Sequence, residues 1–262
     1  MYSYDNTQTE ECCMKYTERL MIDLKRLGIQ AGDVLLVHSS MHALGVPELR
    51  AEEVIETLME ILTDQGTLLI PALSYETVTR QSPVFDIRET KSCVGALSEC
   101  FRTKYAQYRS VHPTHSVCAW GKYAYSMTVW HALDETPVGP HSPFWQLPLL
   151  HGKILMLGCG LRPNTFMHGV EEMARVRYAV GRQPCLYTLT DGRNHTVRKI
   201  YYPHAFGPLI QRYDRLADLL TEPQLHMGKV LQADAYVIDA AAATEAAKSA
   251  IRSKERFFVD EP

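Results

Sequence analysis

The chain has 262 residues, 46% of them hydrophobic and 22% charged, with a formal net charge of −3 at pH 7. That is the composition of an ordinary soluble globular protein, long enough for one large domain or two small ones. It leaves no broad basic field for nucleic acid, and no apolar run approaches the length that spans a bilayer.

In chain order, the polar stretch from Met1 to Lys15 lacks the basic and apolar regions of a signal peptide. Thr7 and Glu10 form a capping-box pattern, and Tyr16, Leu20, Leu24 and Leu27 make an apolar stripe that Gly28 ends. Asp33 to His38 is a continuous β-favouring run, read as a buried strand. Ala51 to Asp64 predicts a helix, and Thr67 to Pro71 a second strand. A loop-rich stretch follows from Ser74 to Ser92, then a short helix over Val94 to Lys104. Ser116 to Trp120 reads as a strand, Tyr123 to Leu133 as a helix, and Lys153 to Gly158 as another strand. Cys185 to Thr190 and Thr196 to Tyr202 flank a turn at Asp191-Gly192-Arg193-Asn194, a hairpin signature. Pro208 to Thr221 and Ala240 to Ser253 are predicted helices.

Strand–helix alternation predicts an α/β protein, a layered α/β/α single domain over residues 1–262. The hairpin is expected to make its central sheet mixed. Seven cysteines, an odd number with no CxxC spacing, argue against a disulfide framework or a cysteine zinc site. A reducing cytoplasm fits them best.

Three runs carry candidate chemistry. Asn164-Thr165-Phe166-Met167-His168-Gly169-Val170-Glu171-Glu172 joins a strand to a helix. Thr165, His168 and Glu171 recur every three residues, so they lie near one helix face. Such a hydroxyl, imidazole and carboxylate can form a general-base device, with the carboxylate fixing the ring's tautomer. The same spacing also fits a capping threonine and a surface histidine. Gly32 to Gly45 ends a strand in His38-Ser39-Ser40, where backbone N–H groups and hydroxyls can meet an anion or simply cap a turn. Arg109-Ser110-Val111-His112-Pro113-Thr114-His115-Ser116 places two histidines on an extended loop entering a strand, for ligand positioning or structure. Pro140-His141-Ser142-Pro143 reads as a stiff connection.

Together, and in this order, these runs resemble the aminoglycoside 3-N-acetyltransferase family. The match includes GDVLLVHSSMHALG from Gly32, RSVHPTHS from Arg109, GPHSPF from Gly139 and GKILMLGCG…NTFMHGVE from Gly152, and covers roughly residues 17 to 240. The resemblance implies acetyl-CoA as co-substrate, a small-molecule amine acceptor and no metal. It implies that His168 is the general base and Glu171 its support; in such a reaction Thr165 or nearby backbone N–H groups at the helix start would stabilise the developing oxyanion. It points to His38, Ser39, Ser40, Leu44 and Gly45 for the CoA site, with His115 and Ser116 at the same cleft. The acceptor is an aminoglycoside, the family's antibiotic substrate, or another small amine. Glu76, Asp86 and Glu89 can supply an acidic wall for a polycation. Two competing classes are a metal-dependent hydrolase built on His112, His115, His168 and Glu171, and a non-catalytic CoA-binding protein. No nucleic-acid or membrane partner is expected, and oligomeric state is left open.

Overall fold

A computed structural model describes residues 15–262, so the Thr7 and Glu10 capping pattern lies outside the described residues. The described chain opens with helix α1 (Tyr16–Arg26), strand β1 (Val34–Ser39), helix α2 (Ala51–Leu62) and strand β2 (Thr67–Pro71). Next come β3 (Val84–Asp86), α3 (Ala96–Lys104), β4 (Tyr108–Arg109) and β5 (Val117–Gly121). Short helices α4 (Ala124–Thr128) and α5 (Pro143–Gln146) precede β6 (Lys153–Leu157) and α6 (Phe166–Met173). The remainder holds β7 (Cys185–Thr190), β8 (Thr196–Tyr201), β9 (Ile210–Gln211) and β10 (Leu225–Val230). It closes with β11 (Ala233–Asp239), α7 (Ala240–Ser253) and β12 (Val259–Asp260).

Seven strands form the central sheet in the order β10-β11-β6-β1-β2-β5-β4. Only β6, β1 and β2 are parallel neighbours, and the flanking pairs are antiparallel. The apolar runs of these strands are continuous because both faces are covered. Val34, Leu36, Ile154 and Met156 pack with residues of α4, α5, α6 and α7. Leu35, Val37, Leu155 and Leu157, one position out of phase, pack with α1, α2 and α3. The layered mixed architecture expected from the sequence is therefore the one observed.

Three of the expected elements differ in the structure. The β7–β8 hairpin forms, but it pairs with β3 in a separate three-stranded sheet. The central sheet is mixed through β5, β4, β11 and β10 instead. The helix predicted over 208–221 is replaced by β9 and a 3₁₀ segment, Tyr213–Leu219. Tertiary pairing overrides the local signal there: β9 pairs with β12, and Arg212 N–H donates to the Phe258 carbonyl. Arg212 and Arg215 also form ion pairs with Asp260. The helix predicted over 123–133 stops at Thr128, followed by a 3₁₀ turn, His131–Leu133. Among the described residues no helix is long and apolar enough to cross a membrane.

Candidate active site

The carboxyl ends of β1 and β6 open into a cavity of about 520 Å³. At the end of β6 the chain turns sharply at Gly158, with φ +73°, where a β-carbon would come within 2.8 Å of Ala43. The loop after this turn delivers α6, with Thr165 at its N-terminal boundary. The cavity is lined by His38 and Ser39 from β1, His115 ahead of β5, and Thr165 and His168 from α6. His204 and Tyr213, both beyond β8, form part of the same wall.

Helix α6 turns Glu171 away from the cavity. Its carboxylate is fully buried and accepts from two phenols, Tyr178 Oη to Oε1 at 2.8 Å and Tyr213 Oη to Oε2 at 2.7 Å. Tyr213 Oη is also 2.7 Å from His168 Nδ1, whereas the nearest Glu171 oxygen is 3.7 Å from that nitrogen. The direct carboxylate–imidazole bond expected from the sequence is thus replaced by a phenol inserted between the two. Burial, with Glu171 alongside, pushes the Tyr213 phenol well above its usual value, so it keeps its proton. That one proton is directed at Glu171. The phenol oxygen can then only accept from His168 Nδ1–H, which leaves the Nε2 lone pair bare.

Thr165 occupies the cap position without a capping side-chain bond, so the capping interpretation of its hydroxyl is not observed. Its N–H donates to His38 Nε2 at 3.1 Å. Burial and the nearby His168 hold His38 down at about 3, so His38 is neutral and its proton sits on Nδ1. Burial likewise holds His115 and His204 well below the usual histidine value. Glu172 Oε1 lies 2.8 Å from His204 Nε2 and accepts from Val138 N–H at 2.9 Å, and burial pushes its carboxyl up to about 7.

The remaining expected residues have other surroundings. Ser40, Leu44, Gly45 and Ser116 do not line the cavity. Leu44 is a core side chain packed with α1 and α2, and Ser116 Oγ bonds the Ala72 carbonyl and Arg109. Any contact of Leu44 or Gly45 with CoA is left to the backbone. His112 stacks on His131 at 4.9 Å, its Nδ1 accepting from the N–H groups of Thr114 and His115. Ser142 N-caps α5, and His141 bonds Asp134, as a stiff connection would. Cys159 reaches the cavity, but burial pushes its thiol up to about 11. It is not a thiolate nucleophile at neutral pH.

Tyr178, His204 and Tyr213 were not anticipated from the sequence. The Pro203-His204-Ala205-Phe206-Gly207-Pro208 run carries the same punctuated-loop signal that marked His115. No local signal marks either tyrosine.

The family model for aminoglycoside 3-N-acetyltransferases matches residues 36–252. The chain belongs to that family. Its members are enzymes that use acetyl-CoA. Aminoglycoside N(3)-acetyltransferase III of Pseudomonas aeruginosa is 31% identical to this family member over 94% of this chain and 96% of its own length. A solved acetyltransferase, AAC-IIIb in binary complex with CoASH, superposes with a TM-score of 0.78 at 25% identity, covering 95% of this chain and 99% of that one. A variant of the aminoglycoside acetyltransferase AAC(3)-IVa in complex with a gentamicin gives 0.78 at 28% identity, with 94% and 93% coverage. Membership in this acetyltransferase family sets aside the hydrolase alternative. The ligand set imagined for that alternative is not assembled either, since Glu171 is enclosed by phenols and His112 by its stack on His131.

Proposed function

We propose that the chain transfers acetyl from acetyl-CoA to an amine of an aminoglycoside or another small molecule, with His168 as general base. The supporting observation is the His168–Tyr213–Glu171 chain, which presents a bare Nε2 to the cavity. The amine attacks the thioester carbonyl and His168 Nε2 takes its proton. The imidazolium that forms donates through Tyr213 toward Glu171, and it returns its Nε2 proton to the sulfur as the C–S bond breaks and CoA leaves as the thiol, the logic of a triad without a protein nucleophile. The N–H groups of Thr165, Met167 and His168 are all engaged within the protein. The Thr165 hydroxyl, or a nearby donor such as the Phe166 N–H, would then stabilise the developing oxyanion.

One observation favours an acceptor of low charge. No carboxylate lines the cavity among the described residues, whereas Arg162 does. Glu76 and Glu89 are exposed and Asp86 accepts from the N–H groups of Arg88 and Glu89, all three outside the cavity wall.

The test follows thiol release from acetyl-CoA with aminoglycosides, amino sugars and small monoamines. Amine-dependent release is expected, and the preferred acceptor shows whether a polycation is accommodated. Measurable acetyl-CoA binding with no release for any amine of the panel would instead leave either an acceptor outside the panel or a CoA-binding protein.

Tyr213 is a positioning residue in this scheme. With Tyr213→Phe, His168 Nδ1 loses its acceptor and the ring is free to carry its proton on Nε2. We expect kcat to fall about tenfold to a hundredfold, less than loss of the base itself, with KM for acetyl-CoA unchanged. Equal losses in acetyl-CoA affinity would point to a general distortion of the cavity.

A further inference from the structure

Three imidazoles from separate segments meet on one side of the cavity. Ring centroids are 4.8 Å apart for His115 and His204, 4.9 Å for His168 and His204, and 6.0 Å for His115 and His168. One ring nitrogen from each lies within 4.8 Å of those from the other two.

Each ring is also held from outside the cluster by an oxygen. His115 Nδ1 is 2.9 Å from the Thr114 hydroxyl, His168 Nδ1 is 2.7 Å from Tyr213 Oη, and His204 Nε2 is 2.8 Å from Glu172 Oε1. All three oxygens can accept an N–H. In that arrangement His115 Nε2, His168 Nε2 and His204 Nδ1 are left with lone pairs. His204 Nδ1 is buried and has no hydrogen-bond partner among the described residues, a state that is costly unless something occupies it. Acid–base work by His168 does not require lone pairs on the other two rings.

We propose that His115, His168 and His204 form a binding site for Zn²⁺, and that its occupation switches off acetyl transfer. Three imidazoles with oxygen partners behind them match the inner and outer shells of a three-histidine zinc centre with one open position. Imidazoles without a carboxylate select zinc, copper or nickel over magnesium or calcium. Tetrahedral zinc with bonds of about 2.0 Å brings ligand nitrogens to about 3.3 Å, so nitrogens up to 4.8 Å apart in the free site draw together on binding. The coordinate bond at His168 uses the same Nε2 electron pair that takes the amine proton. No other bond is made or broken, and chelation restores the base. The switching effect rests on the role of His168 proposed above, whereas the binding site does not.

Chelator-stripped protein, titrated with Zn²⁺ against a chromophoric zinc chelator, tests the site. One equivalent is expected to bind, and His115→Ala, His168→Ala and His204→Ala are each expected to weaken binding at least about a hundredfold. His195→Ala, on the exposed hairpin turn, serves as the control and is expected to bind like the parent. Urea unfolding of each variant separates lost ligands from lost fold. Binding below stoichiometry, or binding indifferent to the three substitutions, would overturn the site. Zn²⁺ is expected to abolish thiol release in the parent, with recovery on adding EDTA. Stoichiometric binding with undiminished turnover, or turnover that requires zinc, would overturn the switch and leave the site standing. If no amine supports turnover, the titration still decides the site, and that failure belongs to the acetyl-transfer reading.

Discussion

Replacing His168 by alanine is expected to lower amine-dependent thiol release about 10²–10⁴-fold, the usual scale for a positioned general base. The loss should fall on kcat, because acetyl-CoA binding does not depend on proton transfer. The side chain is 13% exposed on the cavity wall, so its removal leaves no large internal void and the fold should survive. Steady-state kinetics beside urea unfolding checks both statements. Turnover within about threefold of the parent, far below that scale, would remove His168 from the mechanism.

A comparably large effect on stability is expected at Arg109. Its guanidinium is mostly buried and donates to the carbonyls of Ile87, Thr90 and Ala72 and to Ser116 Oγ. It also lies over the Phe85 ring, 4.9 Å from the centroid. One side chain thus fastens the stretch between Ser74 and Ser92, which has little secondary structure of its own, to the edge of the central sheet. Burial lowers Arg109 to about 10, still far above neutral pH, so it remains a cation there. Arg109→Met fills similar space but leaves the Ile87 and Thr90 carbonyls without this donor. We expect a loss of about 3 kcal/mol, since hydrogen bonds to charged groups and unsatisfied buried acceptors each contribute on the order of 1–3 kcal/mol. The urea midpoint measures the cost, and limited proteolysis should cut first between residues 74 and 92. Leu73 and Tyr75 line the cavity, so activity should fall more than the unfolded fraction explains. An unchanged midpoint with an unchanged cleavage pattern would show that the stretch holds without Arg109.

The layered sheet was legible because its strands are covered on both faces. Val34 to Val37 and Ile154 to Leu157 alternate between two cores, so every position is apolar and the runs stand out. The α6 trio was legible because helical spacing is local. The relay was not, because Tyr213 reaches Glu171 and His168 from a different segment. The sequence around Tyr213 predicts helix, since nothing local reveals pairing with β12. The strands β10 and β11 went unassigned for a similar reason. Their turn uses Leu231, at φ +52°, where a glycine or asparagine would have announced a hairpin.

The pairing of β9 with β12 has a further consequence. Asp260 grips Arg212 and Arg215, the residues on either side of the turn that carries Tyr213. The phenol hydrogen-bonded to His168 is therefore anchored to a partly exposed strand whose Asp260 lies outside the cavity lining. Sequence drift at Asp260 would be felt as a change in the chemistry of the ring rather than as a loss of substrate contacts. Variants selected for altered turnover can thus carry their decisive change on the outside of the molecule, where an inspection of the pocket alone would never look.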